Sequence, residues 1–322
     1  MSSPVQSVLP LSSASKIAGY HIPPATGHTP TTQSIELSQA VHRINLINAW
    51  GSAAIYPGSQ ILELGCGQGT CTAVLAEAVV PQSQDSASGH VTALDPAPST
   101  YGAPFTLGQA QSHLLTSSSV PEGVRSAITF HLEADLFSFL SREENKDAKW
   151  DTVVLAHCIW YFPSAVVVLE SILLELKGRA KRVCIAEYAL QASEPKAAPH
   201  VLTALARAAL EAHKPNSTEN IQGLVSPGGI KEVAVRTGWK VEQEAVVVPE
   251  KDLSDGYWEA GGVVSVEFVN EIDRDVEDER VKNMLRAARD ATVAAVNMVG
   301  GVKEVRTMDV WAATLVRAGE QD

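Results

Sequence analysis

The sequence predicts an α/β protein built on a largely parallel sheet, and three observations carry that expectation. Short apolar runs rich in Val, Ile and Leu recur at Gln60–Leu64, His90–Leu94, Ala127–Leu132, Thr152–Ala156 and Arg182–Ala186. Turn residues follow each run and a helical pattern usually comes next, which is the alternation that a sheet covered on both faces requires. The chain has 322 residues, more than the roughly 100 to 200 of a typical domain, so it holds one large domain with insertions or two small ones.

Residues 1 to about 30 are rich in Ser, Pro and Thr, and Leu37, Ala40, Val41, Ile44 and Ile47 then recur at helical spacing. A loose arm leading into an amphipathic helix follows from that pattern. The polar pieces Pro81–Gly89 and Ser141–Lys149 read as surface loops, the first lengthening the first crossover. Beyond the fifth strand come an alanine-rich helix at Ala197–His213, a loop with Pro215 and Asn216, and a helix at Gly229–Thr237. Two more strands are expected at Lys240–Val248 and Thr307–Val316. Between them Val281, Met284, Leu285, Ala288, Thr292, Ala295 and Val299 fall on one helical stripe. Asp275, Glu277, Asp278 and Glu279 suit the N-terminus of that helix through its dipole. The stripe can pack on the sheet, cap a pocket or meet a second subunit, and packing on the sheet is the expectation. No internal repeat is visible.

Composition narrows the function classes. Apolar residues make up 45%, and 25 basic against 37 acidic side chains leave a net charge of −12. That balance disfavours nucleic acid, because phosphate binding needs a basic stripe and none stands out. The opening MSSPVQSVLPLSSASK lacks the features of a secretory signal, and no run approaches the ~20 apolar residues of a membrane span. A soluble, cytoplasmic protein without a membrane partner is expected. Cys66, Cys71, Cys158 and Cys184 form no CxxC motif, so neither a disulfide framework nor a cysteine metal site is expected.

The segment Gln60–Leu75, QILELGCGQGTCTAVL, carries the functional signal. An apolar strand ends at Glu63, passes through Gly65, Gly67 and Gly69, and enters a helix. Such glycines let the chain turn sharply and let a ligand approach the main chain, while the helix start offers unpaired N–H groups. A ligand-free tight turn remains the plain alternative. The spacing is G-x-G-x-G, with Thr70 where the third glycine of the dinucleotide fingerprint would fall, which counts against NAD or FAD. Asp95 ends the second strand, where a carboxylate can accept both hydroxyls of a ribose. Glu133-Ala134-Asp135-Leu136 follows the third and offers a carboxylate beside apolar surface for an adenine. The fourth opens into His157-Cys158-Ile159-Trp160-Tyr161-Phe162. All these positions lie at carboxyl ends of parallel strands, where open α/β sheets bind ligands.

On these residues the sequence resembles the class I methyltransferases that use S-adenosyl-L-methionine (SAM). ELGCGQG, from Glu63 through Gly65, Cys66 and Gly67 to Gly69, matches the family's first motif, and the likeness is clear over about residues 55–190. Glu63 and Asp95 stand about 32 positions apart, long for the family, and PQSQDSASG supplies the excess. The resemblance implies a Rossmann-like seven-stranded sheet in the order 3-2-1-4-5-7-6, with strand seven antiparallel. It implies SAM as cofactor and S-adenosyl-L-homocysteine as product. Asp95 with Pro96 looks like the ribose site; Ala134, Asp135 and Leu136 look like the adenine contacts, and His157 with Cys158 like the segment beside the methyl group. Residues 1–54 would then be an arm and cap, and 55–322 the SAM-binding domain with a helical insertion at about 250–304.

The methyl group on a cationic sulfur is already electrophilic, so the protein's main task is to align an acceptor with it. His157 is the candidate base for an acceptor that arrives protonated; a backbone contact to SAM is the competing role. Tyr20 and His21 in GYHIPP are candidates for closing over the cofactor, against an ordinary surface loop. Trp160 and Tyr161 can wall the acceptor pocket or belong to the core, and Tyr257 and Trp258 are candidates for a lid. Cys66 reads as a small residue, not a catalytic thiolate. The chain lacks the N/D-P-P-Y/F segment of DNA methylation, the paired-glutamate loop of arginine methylation and the acidic set of metal-dependent catechol enzymes. What remains is a metal-independent transferase acting on O, N, C or S of a small-molecule acceptor. The alternatives are a protein methyltransferase and a non-catalytic SAM-binding scaffold.

Overall fold

In a computed structural model, residues 7–23, 31–81, 88–214, 217 and 219–319 are described. Pro215, Asn216 and residues 82–87 of the polar stretch lie outside them. The strands are β1 (Gln60–Leu64), β2 (His90–Asp95), β3 (Ile128–Leu132), β4 (Trp150–Ala156), β5 (Ala180–Tyr188), β6 (Trp239–Val247) and β7 (Val310–Arg317). The first helices are α1 (Ala14–Ala18), α2 (Thr31–Trp50), α3 (Thr70–Val79), α4 (Leu107–Thr116), α5 (Glu122–Ser126) and α6 (Leu136–Leu140). Then come α7 (Ala165–Glu175), α8 (Ala198–Glu211), α9 (Pro227–Arg236), α10 (Asp255–Val264), α11 (Val266–Asp275) and α12 (Glu279–Met298).

The strands form one sheet in the order β3-β2-β1-β4-β5-β7-β6, as the resemblance implies. β1 pairs in parallel with both β2 and β4, so the strand order reverses at β1, and a crevice opens at its carboxyl end. β1 is buried from its second residue onward, and β4 and β5 are buried over most of their lengths. This matches the near-continuous apolar runs that mark a doubly covered strand. β7 runs antiparallel between β5 and β6. β6, at the edge, alternates partly buried with exposed residues, as a strand with one wet face does.

The arm is fastened to this sheet by side-chain bonds. Trp50, the last residue of α2, is fully buried and donates from Nε1 to the Ile185 carbonyl at 3.0 Å. Gln243 of β6 donates to the carbonyls of Ala49 and Trp50, and Thr314 of β7 donates to that of Trp50. Earlier, Asn48 accepts from the N–H groups of Val8 and Leu9 and returns a bond to the Leu9 carbonyl. Tyr20 and Lys16 both donate to the carboxylate of Glu77 on α3.

The apolar stripe of α12 does not lie on the sheet. Leu285 joins Ala206 and Leu210 of α8, and Val263, Phe268, Ile272 and Val276 of the preceding segment, in a second apolar cluster. Periodicity shows that a face is buried and not what buries it. Here the small residues of α8 receive the stripe, and Met284 is left 56% exposed. An ionic cluster holds the same junction: Arg207 donates to Glu271 at 2.7 Å and to Glu211 at 3.2 Å, and Lys214 donates to Glu211 at 2.8 Å and to Glu271 at 2.5 Å.

Burial alone would raise the Glu271 carboxyl, but hydrogen bonds from Lys214 and Arg207 prevail and hold it below its ordinary value of 4.5. A carboxyl lowered on folding adds stability above its unfolded value and loses it as pH falls through its folded value. Glu271→Gln should therefore destabilise the protein by about 2 kcal/mol near neutral pH. In urea titrations the gap from wild type should close as pH drops below about 4.5; a gap constant down to acid pH would disprove the ionic role.

Candidate functional site

The glycines after β1 divide into two kinds. Gly65, Gly67 and Gly69 have φ of +70°, +53° and +89°, the left-handed region that disfavours a side chain. A Cβ on Gly65 would sit 2.6 Å from the Cβ of Cys158, and one on Gly69 would sit 2.6 Å from Leu114 and 3.0 Å from Phe130. These two are needed for packing. A Cβ on Gly67 would meet nothing within 4 Å, so this glycine turns bare backbone toward open space. The loop is tied down by N–H groups of Gly65 and Cys66 donating to the Leu94 carbonyl, and by Gln111 of α4 donating to the Gly67 carbonyl at 2.7 Å.

Two buried acids border it. Asp95 accepts from the N–H of Gly67 at 2.8 Å and of Ala97 at 2.9 Å, which puts its carboxylate beside the open glycine despite the long sequence separation. Pro96 follows on the surface. Glu63 is buried and accepts from Thr72 at 2.5 Å; burial pushes its carboxyl up to about 7, although the bond from Thr72 opposes the rise. After β3, the Ala134 N–H donates to the Asp95 carbonyl at 3.0 Å. Asp135 caps α6, its Oδ1 accepting from the Ser138 N–H at 2.7 Å, and Leu136 is buried beneath it. One oxygen of the expected adenine contact is thus engaged in helix capping.

A polar corner lies at the ends of β4 and β5. His157 has φ of +54°, and its ring stands between His42 of α2 and Glu187 of β5. The Nε2 atoms of the two histidines are 3.0 Å apart, and His157 Nδ1 is 3.6 Å from Glu187. The carboxylate favours a proton on His157 Nδ1, so His157 Nε2 accepts and His42 Nε2–H donates. Burial, with the charges of Arg43 and His157, holds His42 well below its usual pKa and therefore neutral. Neither buried Nδ1 has a hydrogen-bond partner among the described residues, although that of His157 lies 3.6 Å from Glu187. Glu187 is fixed by the N–H groups of Ile159, Trp160 and Tyr188.

Above this corner, the Tyr188 hydroxyl donates to Asp255 at 2.9 Å and Gln39 donates to Asp255 at 3.1 Å, joining β5, α2 and α10. His200 accepts the Met308 N–H at Nδ1, so its Nε2–H donates to Glu259 at 2.8 Å. Sequence reasoning missed His42, Glu187, Tyr188, Asp255 and Gln39. The strand-end rule that selected Asp95 and His157 applies equally to Glu187 and Tyr188.

The remaining expected residues separate. Tyr20 is buried against Glu77 on α3 and so anchors the arm. His21 lies beside His113 of α4, and burial first, then the charge of His113, brings its pKa down to about 4. Trp160 belongs to the core, donating to the Val225 carbonyl at 3.1 Å. Tyr161 is 46% exposed, yet its hydroxyl is pushed upward by desolvation and by the charges of Glu259 and Asp255 and by Tyr101. Trp258 lies three residues after Asp255 and shares its helical face; Tyr257 falls on the other side, and both are exposed. Cys66 and Cys158 are buried thiols pushed well above their usual range by burial first, so they serve as compact filling.

No family model matches the chain. It is 30% identical over 289 residues to Methyltransferase phomM' and to Methyltransferase phomM, both of Diaporthe leptostromiformis, with 80% of this chain and 73% of each relative covered. Among solved structures it is similar to a cyclopropane-fatty-acyl-phospholipid synthase-like protein from Lactobacillus casei ATCC 334. That likeness has a TM-score of 0.76 at 27% identity and covers 95% of this chain and 99% of that one.

A carboxyl raised on folding contributes stability below its unfolded value and loses it as pH rises through its folded value. For Glu63 that window runs from 4.5 to about 7. Glu63→Gln, which cannot ionise, should gain on wild type across this range; thermal midpoints that stay parallel with pH would show that Glu63 does not titrate there.

Proposed function

The chain belongs to the class I SAM-dependent methyltransferases, and from that premise we propose that it binds SAM at the carboxyl ends of β1 and β2. It methylates a small-molecule acceptor held beside His42 and His157. Gly67 carries the cofactor reading: open space lies where its side chain would be, and the Asp95 carboxylate lies 2.8 Å from its N–H. Asp95 with Pro96 takes the ribose, since its oxygens keep acceptor capacity beyond the two backbone bonds. Ala134, Asp135 and Leu136 take the adenine, and Glu63, Cys66, Cys158 and the backbone of His157 border the amino-acid end.

SAM supplies a methyl carbon made electrophilic by its cationic sulfur, and the transfer is proposed to be metal-independent. The chain's own contribution is alignment of the acceptor. The bond between Gln39 and Asp255 links arm and insertion across the site, which favours an enclosed pocket over an open groove for a protein. Tyr161, Trp258 and Tyr101 stand at the rim. Where the acceptor carries a proton, it enters at His42 Nδ1 while His42 passes its Nε2 proton to His157. The imidazolium formed on His157 is then stabilised by Glu187. No helix among the described residues is long and apolar enough to cross a membrane. Four free, buried cysteines suit a reducing compartment such as the cytoplasm.

Calorimetry with SAM and S-adenosylhomocysteine tests the cofactor site, and Asp95→Ala should raise Kd at least about tenfold, or 1.4 kcal/mol. Unchanged affinity would mean that the ribose sits elsewhere. With methyl-labelled SAM and cell extract, label should enter the small-molecule fraction. Label in protein supports the protein methyltransferase, and binding without incorporation supports the scaffold. With an acceptor in hand, His42→Ala and His157→Ala should each slow turnover at neutral pH by about 10²-fold or more if proton removal is required; full turnover in either variant eliminates the relay.

A further inference from the structure

Arg43 lies on the face of α2 that carries Gln39 and His42, and two of its guanidinium nitrogens have no partner among the described residues. Gln39, His42 and Arg43 share one helical face by their spacing, and the first two reach Asp255 and His157. The Nε and Nη1 atoms of Arg43 are buried, and neither has an acceptor. Its charge is felt by Glu63 at the end of β1, by Cys71 in the first turn of α3, and by His42 and Tyr188. Arg43 therefore lies between the glycine loop and the histidine pair. Arg43 is only partly buried as a residue, but two buried guanidinium donors without an acceptor are unfavourable, and its planar donors match a carboxylate.

We propose that Arg43 is the carboxylate-binding residue of this site. The carboxylate comes from the amino-acid end of the cofactor or from an acidic acceptor. The cofactor source rests on the SAM reading above; the acceptor source does not.

The test compares ligands that differ only in the carboxylate. Calorimetry measures S-adenosylhomocysteine and its decarboxylated analogue on wild type, Arg43→Gln and Arg43→Lys, with thermal midpoints confirming that each variant folds. A cofactor contact predicts that wild type favours S-adenosylhomocysteine by about tenfold or more, that Arg43→Gln binds both ligands alike, and that Arg43→Lys restores part of the preference. A purely structural role weakens both ligands equally. In a second arm, wild type and Arg43→Gln are titrated with butyrate and butyramide, with and without saturating S-adenosylhomocysteine. Butyrate-specific binding that Arg43→Gln abolishes assigns the acceptor carboxylate. Absence of carboxylate dependence in both arms overturns the proposal. If wild type binds neither adenosyl ligand, the SAM reading fails, and the butyrate arm alone decides for or against Arg43.

Discussion

No side chain on Gly65 fits against the turn after β4. The 2.6 Å separation between a Cβ on Gly65 and that of Cys158 is a contact between neighbouring crossovers, imposed because β1 and β4 are adjacent and parallel. Two residues beyond Gly65, Gly67 faces open space, and His157, next to Cys158, adopts the left-handed conformation. Asp95 enters from the other neighbour, β2, and bonds the same loop. Binding surface and polar corner are thus two sides of one close approach.

The second organising element is α2, whose end is bonded to β5, β6 and β7 while its middle crosses the strand ends. An amphipathic helix usually turns its polar face to water. Here that face carries Gln39, His42 and Arg43 over the crevice, and orphaned nitrogens collect there. Their neighbours Glu187 and His200 are matched: Glu187 accepts three backbone N–H groups, and His200 both accepts and donates. The unsatisfied nitrogens of His42, Arg43 and His157 on neighbouring elements leave donors and acceptors there that a ligand's polar atoms can meet.

The sheet was legible because doubly covered strands leave uninterrupted Val, Ile and Leu runs, and the crevice because parallel strands bind ligands at their carboxyl ends. Less of the polar corner could be read. His42 and Arg43 look in sequence like the wet side of a helix, and only the tertiary position of α2 makes them interior. Asp135 satisfies an adenine pattern and a helix-cap pattern alike, since both need an exposed carboxylate before an apolar turn. The stripe from Val281 to Val299 declared a buried face and left its partner open; it went to α8. Trp160 and Tyr161, adjacent in sequence, part into core and rim because a short 3-10 turn, Ile159–Tyr161, points successive side chains in different directions.

The bond from Gln39 to Asp255 joins residues 216 positions apart, one before the sheet begins and one in the helical segment between its last two strands in sequence. The proposed pocket is therefore split between two distant stretches of chain, with six of the seven strands lying between them in sequence. Anyone redesigning acceptor preference has to exchange both stretches together. A graft of either alone would set a foreign half against a native one, with Asp255 or Gln39 facing the mismatch.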